Sequence, residues 1–265
     1  EAVGVLLAPR AAVSNGQPAS GVRREPVVCV GVERGAVRGG LARWVAAAVG
    51  AGVDCVQIRE RDLEGAALLA HAEEIYRAAR QAAAQRGDHV EIFVNRRIDI
   101  ALVLGANGVQ LGFDAVDPQT ARRLLGTDAQ FGPNVRTGGS NEKTGEANVK
   151  IGISAHHPDE IFAAPPEVDC AQLAPIFQPL SKPHTGPYLG VRAVAEAARY
   201  DIPVIAQGGI TPANATAIAA AGAAGIAVTG AILSAPDPAR ATRALRAALA
   251  AAPRNQPGAS PAAPL

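Results

Sequence analysis

Eight times along this chain a short β-branched or apolar run is followed by a Gly-rich or polar turn and then by an Ala/Leu/Arg stretch at helical spacing. The runs are VVCVGV (27–32), DCVQIR (54–59), VEIFVN (90–95), GVQLG (108–112), VKIGIS (149–154), DCAQLA (169–174), IPVIAQ (202–207) and GIAVTG (225–230). Helical spacing follows near 40–50, 63–86, 97–105, 117–126, 158–164, 190–200, 212–222 and 236–251. Asp117-Pro118 and Thr211-Pro212 put a capping side chain just before a proline at the first helical position. Strands separated by helical crossovers pair in parallel. Eight near-equal units without a dinucleotide-binding GxGxxG fit a closed (β/α)8 TIM barrel better than an open doubly wound sheet. The reading is thus α/β, a single barrel over 27–252. The stretches 1–26 and 253–265, rich in Pro, Gly, Ser and Ala, are read as disordered N- and C-terminal tails.

Composition narrows the chemistry. With 25 Lys+Arg against 24 Asp+Glu and a net charge of +1, the 265 residues lack the basic footprint of a nucleic-acid binder. No apolar run reaches the ~18 residues of a membrane span, and the first residues lack a charged secretory n-region. The expectation is a cytoplasmic protein acting on small molecules, with no nucleic-acid or membrane partner. Cys29, Cys55 and Cys170 each lie in an apolar run without metal-ligand spacing and read as buried free thiols.

In a barrel the informative positions are the strand C-termini and the loops beyond them. Alternation puts Gln57, Arg59 and Arg61 on one side of the second strand and Ile58 on the other. If that side faces inward, an amide and two guanidiniums meet at the mouth, where their forks match phosphate oxygens; otherwise they belong to an Arg/Glu network closing the barrel end. Asn95 ends the third strand, as an inward amide or as a helix-starting residue. Gln207-Gly208-Gly209-Ile210-Thr211 and Ala227-Val228-Thr229-Gly230-Ala231 end the seventh and eighth, where small residues let backbone N–H groups cup a phosphate. Ser181 and Lys182 lie on the long loop 175–189, a lid candidate over the top face, where Lys182 reads either as a charge folded over an anion or as a solvated loop lysine. The stretch 126–148 reads as a surface excursion at the bottom or as a partner-binding loop. His156 and His157 follow the fifth strand as acid–base candidates, whereas His71, His89 and His184 read as surface.

Taken together, QIRERDL (57–63), VNRRIDIALVLGANGVQLG (94–112), IGISAHHPDE (151–160), APIFQPLSKPHTGPYLGV (174–191), IPVIAQGGITPANA (202–215) and GAAGIAVTGAI (222–232) resemble the thiamine phosphate synthase and thiazole tautomerase superfamily. The resemblance spans about 27–250. It implies a transferase of thiamine biosynthesis in which a hydroxymethylpyrimidine diphosphate loses pyrophosphate by a dissociative step and a thiazole phosphate captures the cation. It matches Gln57, Arg59, Asn95 and Lys182 to diphosphate ligands, Ser181 to a hydroxyl of the same loop, Ser154 to a residue near the pyrimidine, and Gly209, Thr229 and Gly230 to the thiazole-phosphate cup. Arg59, Lys182, Ser154 and His156 are the catalytic candidates it implies. The partners implied are small phosphorylated heterocycles; a homo-oligomer is compatible with the sequence.

The chain also departs from the pattern. Arg61 stands where the family has lysine, and the family's Asn-Asp pair reads Asn95-Arg96. The second acidic magnesium position reads Ala115, with Asp114 one place early, so Asp114 is the residue left to hold the Mg²⁺ that the resemblance implies. Gly31-Val32-Glu33-Arg34 replaces a Thr-Asp pair, Ala174 a glycine and Pro179 a threonine. Two alternatives follow: a barrel that binds a phosphorylated ligand with altered or no catalysis, and a thiazole tautomerase using His156.

Overall fold

The computed structural model describes residues 25–37, 40–126, 149–179 and 186–253. Its eight strands are β1 (Val27–Val32), β2 (Cys55–Ile58), β3 (Glu91–Asn95), β4 (Gly108–Leu111), β5 (Lys150–Ala155), β6 (Cys170–Leu173), β7 (Val204–Gln207) and β8 (Gly225–Val228). All pair in parallel in chain order, and β8 closes on β1 with Cys29 opposite Ala227. The TIM barrel expected from the sequence is therefore the fold. The readings for the tails 1–24 and 254–265, for 127–148, and for Ser181, Lys182 and His184 lie outside the described residues.

Helices α1 (Leu41–Gly50), α2 (Gly65–Arg86), α3 (Ile98–Leu104), α4 (Pro118–Leu125), α5 (Pro158–Phe162), α6 (Gly190–Ala197) and α7 (Pro212–Ala220) follow the first seven strands. After β8 the chain makes a four-residue helix α8 (Gly230–Leu233) before α9 (Pro238–Ala250), where the sequence had predicted a single helix over 236–251. Apolar periodicity could not reveal a helix of one turn. Where caps were predicted they form. The Asp117 carboxylate accepts the Thr120 N–H at 2.8 Å, and Asn214 reaches back to the Thr211 N–H at 2.8 Å.

Strand alternation sorts side chains into two clusters. Val28, Val30, Val32, Ile58, Ile92, Ile151, Leu173 and Ile226 face outward and pack with Val45, Ile75, Ile218 and Leu245 of the helices. Each such buried side chain contributes about 1.5–3 kcal/mol. Cys29, Cys55, Phe93, Ile205 and Ala227 fill the barrel interior, with Cys170 packed beside them. The Phe93 ring occupies the space above Gly108, where a Cβ would lie 2.8 Å from Phe93 Cδ1 and closer still to the ring edge. All three cysteines are free thiols, as expected; Cys29 and Cys55 are buried and Cys170 is half-buried. A hydrogen bond with Cys29 and then burial push the Cys55 thiol up, and burial pushes Cys170 up to about 12, so neither is a thiolate at neutral pH.

Candidate functional site at the barrel mouth

Above the thiols and Phe93 the interior becomes polar. Gln57 on β2 and Gln172 on β6 are both buried, and Gln172 Nε2 donates to Gln57 Oε1 at 3.1 Å across the barrel. Gln110 Nε2 donates to Ser154 Oγ at 3.2 Å, while Gln110 Oε1 is buried without a hydrogen-bond partner. This orphan acceptor is packed over Gly152, where a Cβ would run into it, and is costly. Asn95 lies two residues beyond Phe93 on the same strand, so alternation turns it inward at this level. Thr229 lies against β1, where a Cβ on Gly31 would sit 3.0 Å from its Oγ1. These residues form an uncharged hydrogen-bonding floor.

One arc of the rim is cationic. Arg59 follows Ile58, its backbone amide continuing the ladder to Val32 O at 3.0 Å, and its guanidinium pairs with Glu33. Burial, then the charges of Arg61 and Arg96, push the Arg59 guanidinium below its ordinary value. Three guanidiniums thus act on one another here. Arg96 donates its amide to Gln110 O at 2.9 Å and pairs through Nη2 with Asp114 Oδ2 at 2.9 Å. Glu60, one residue after Arg59, turns away from the site. It accepts the Arg34 amide and lies 3.2 Å from His71 Nε2, its side chain only 4% exposed. His71, read from sequence as a surface residue, is instead half-buried beside this carboxylate, because the helix period of α2 turns it toward the barrel. An Arg/Glu network thus closes this end of the barrel around Glu60, while Arg59, just beyond β2, lies on the side of Gln57.

The other arc is built from backbone. Gly209 has φ 62°, and a Cβ there would run into the Gln178 carbonyl oxygen and lie 2.8 Å from the Phe177 carbonyl carbon. Only glycine serves at such a position. Asn214 Nδ2 holds Gly209 O at 3.0 Å, and Phe177 N donates to Gly208 O at 3.0 Å, so the loop after β7 is fixed to the start of the long loop after β6. That long loop closes at its base, Leu189 N to Pro175 O at 3.0 Å and Gly190 N to Ile176 O at 2.9 Å. Thr229 and Gly230 begin α8, the short extra helix that often accompanies a phosphate site in this fold.

The structure thus brings Gln57, Arg59, Arg61, Asn95, Ser154, Gly209, Thr229 and Gly230 to one mouth. His156 is exposed at its edge, with Nδ1 2.8 Å from Ala174 O; a carbonyl only accepts, so the proton sits on Nδ1 and leaves Nε2 outward. His157 caps α5 by accepting the Asp159 N–H at 3.2 Å, a structural role. Sequence reasoning did not single out Gln172, Gln110 or Asn214. Gln172 and Gln110 sit two residues from interior positions of their strands, a period-two signal that was there to use.

The donor set does not fit a magnesium ion. Asp114 is a single, half-exposed carboxylate already engaged by Arg96, and no group of three or more His, Cys, Asp or Glu stands close enough to hold a metal among the described residues. A divalent cation placed beside Asp114 would also meet the charges that already depress Arg59.

The model of the thiamine monophosphate synthase family matches residues 28–232. A thiamine-phosphate synthase of Roseiflexus sp. (strain RS-1) is 34% identical over 212 residues, 78% of each chain, and one of Laribacter hongkongensis is 33% identical over 224 residues, 84% of this chain and 91% of the relative. Among solved structures, thiamine phosphate pyrophosphorylase from Pyrococcus furiosus superposes with a TM-score of 0.66 at 24% identity over 86% of this chain and 97% of its own, a likeness of fold. No helix among the described residues is long and apolar enough to cross a membrane. With its matched span running from the first strand to the helix after the eighth, the chain belongs to the thiamine monophosphate synthase family.

Proposed function

We propose that this protein joins a hydroxymethylpyrimidine diphosphate to a thiazole phosphate, releasing pyrophosphate, as a small-molecule transferase of the cytoplasm. The observation that supports the reading is the division of one mouth into two arcs, guanidiniums beside β2 and β3 and glycine loops beyond β7 and β8, separated by an uncharged amide floor. Two phosphorylated heterocycles lying ring to ring across that floor have one arc each.

In this reading the pyrimidine ring rests on Gln110 and Ser154 and on Gln57, which is buried in the floor against Gln172 and so lies under the ring and not with the diphosphate ligands the resemblance implies. The diphosphate lies against Arg59, Arg61 and Asn95. Lys182 and Ser181 complete that side, as the resemblance implies. The bond between the exocyclic methylene and the diphosphate oxygen breaks, and both electrons leave with pyrophosphate. The guanidiniums stabilise the charge gathering on it, a positional and electrostatic contribution. The thiazole nitrogen, its phosphate held by Gly209, Thr229 and Gly230, donates its lone pair to the methylene cation and forms the new C–N bond.

The test is to mix the protein with both substrates, with Mg²⁺ and separately with EDTA, and follow pyrophosphate and thiamine phosphate. Formation of both products supports the reading. Absence of thiamine phosphate in both media, with thiazole phosphate still bound, would overturn it in favour of a binding barrel.

A further inference from the structure

Arg96 is the one non-glycine residue with positive φ among the described residues, at 67°. A long side chain gains nothing from the left-handed region, which asparagine, aspartate and glycine enter far more readily. Its amide is fixed to Gln110 O at 2.9 Å, so the strain is held by the β3–β4 ladder and the guanidinium is thrown over the mouth. Arg96 and Asp114 are 45% and 47% exposed, and an ion pair so exposed contributes little, leaving the guanidinium free to exchange its partner at small cost. One strand earlier Arg59 also pairs with a carboxylate, Glu33, there with side chains only 27% and 31% exposed. The residue in this strained position is a cation where the family pattern has a carboxylate.

We propose that Arg96, with Arg59 and Arg61, binds the substrate's diphosphate directly and takes the place of the divalent cation. The inference rests on the function proposed above and assigns the charge-neutralising role within it. On binding, Arg96 releases the Asp114 carboxylate and Arg59 the Glu33 carboxylate, and the freed forks accept phosphate oxygens in their stead; no covalent bond changes. Planar guanidiniums suit this exchange because they bind carboxylate and phosphate in the same bidentate geometry.

The test is calorimetric titration of the whole protein with inorganic pyrophosphate, in EDTA and in Mg²⁺. Saturable binding in EDTA is expected. Arg96→Gly suits the left-handed backbone and should raise the thermal midpoint while weakening pyrophosphate in EDTA by about tenfold or more, as loss of a charge-assisted pair predicts. Arg96→Asp, equally at home at that φ, should abolish binding in EDTA and regain part of it when Mg²⁺ is added. Binding by the wild type only in the presence of Mg²⁺, no pyrophosphate binding in either medium, or equal affinity in wild type and Arg96→Gly would each overturn the inference. These failures are separable from that of the proposed reaction, which is judged by thiamine phosphate formation alone.

Discussion

The two ends of the barrel use the same residue types to opposite effect. At the bottom, a residue just before each of three even strands bonds one residue of the preceding strand twice. Asp54 gives its N–H to Val28 O at 2.9 Å and accepts Val28 N–H at 2.7 Å; Asn107 does the same with Ile92, at 2.8 and 2.9 Å, and Asp169 with Ile151, at 2.8 and 2.7 Å. Each side-chain oxygen also takes an arginine from a helix, Arg246, Arg80 or Arg122, at 2.6 to 3.0 Å. Before β8, Ala224 keeps the backbone bond to Val204 O at 2.8 Å and has no side chain to add the second. At the top, Arg59 and Arg96 meet carboxylates on loops. Arginines of the lower end are held by backbone carbonyls and by side chains fixed to the strands; those of the upper end hold loop carboxylates, which the proposal has a ligand replace.

The sharpest way to break the contrast is Asp54→Ala, which strips acceptors from the Val28 amide and Arg246. It should cost about 3 kcal/mol in urea unfolding, with phosphate-ligand affinity unchanged once folded. Gly209→Ala, at the upper end, should cost about 2 kcal/mol and also lower thiazole-phosphate affinity at least tenfold by calorimetry, since its Cβ displaces the loop that forms the cup. Arg59→Lys should change stability by under about 0.5 kcal/mol yet weaken pyrophosphate about tenfold, because an ammonium cannot reproduce the fork. The smallest effect is that of pH on the start of α3. The Arg97 guanidinium beside Asp99 holds its carboxyl below the ordinary 3.8, so the contribution is fully present above that value and is lost as pH falls through the depressed one. Asp99→Asn should remove under about 0.5 kcal/mol of acid dependence between neutral pH and pH ~3 in urea titrations.

Strand count, parallel order and the glycine-bearing turns after β7 and β8 were legible because each rests on a local signal: β-branched runs at regular spacing, and small residues at strand ends. Alternation put Gln57 and Arg59 on one side of β2, and the folded barrel turns that side inward. What escaped were pairings between distant segments. Nothing near His71 in sequence announces Glu60 as its neighbour, and nothing in Asp54 announces Arg246, which lies nearly the whole chain away. The short α8 escaped for a different reason, since one turn carries no period. Arg96 was visible as a departure from the family pattern, but its positive φ and its ion pair with Asp114 belong to the folded backbone.

The packed layer of Cys29, Cys55, Cys170 and Phe93 beneath the amides has a kinetic consequence. That layer closes the interior below the amides, so under the proposed function both substrates would enter, and both products leave, on the side of the strand C-termini. Depth would then set sequence: the ring proposed to rest on the amides would arrive before the molecule above it and depart after it.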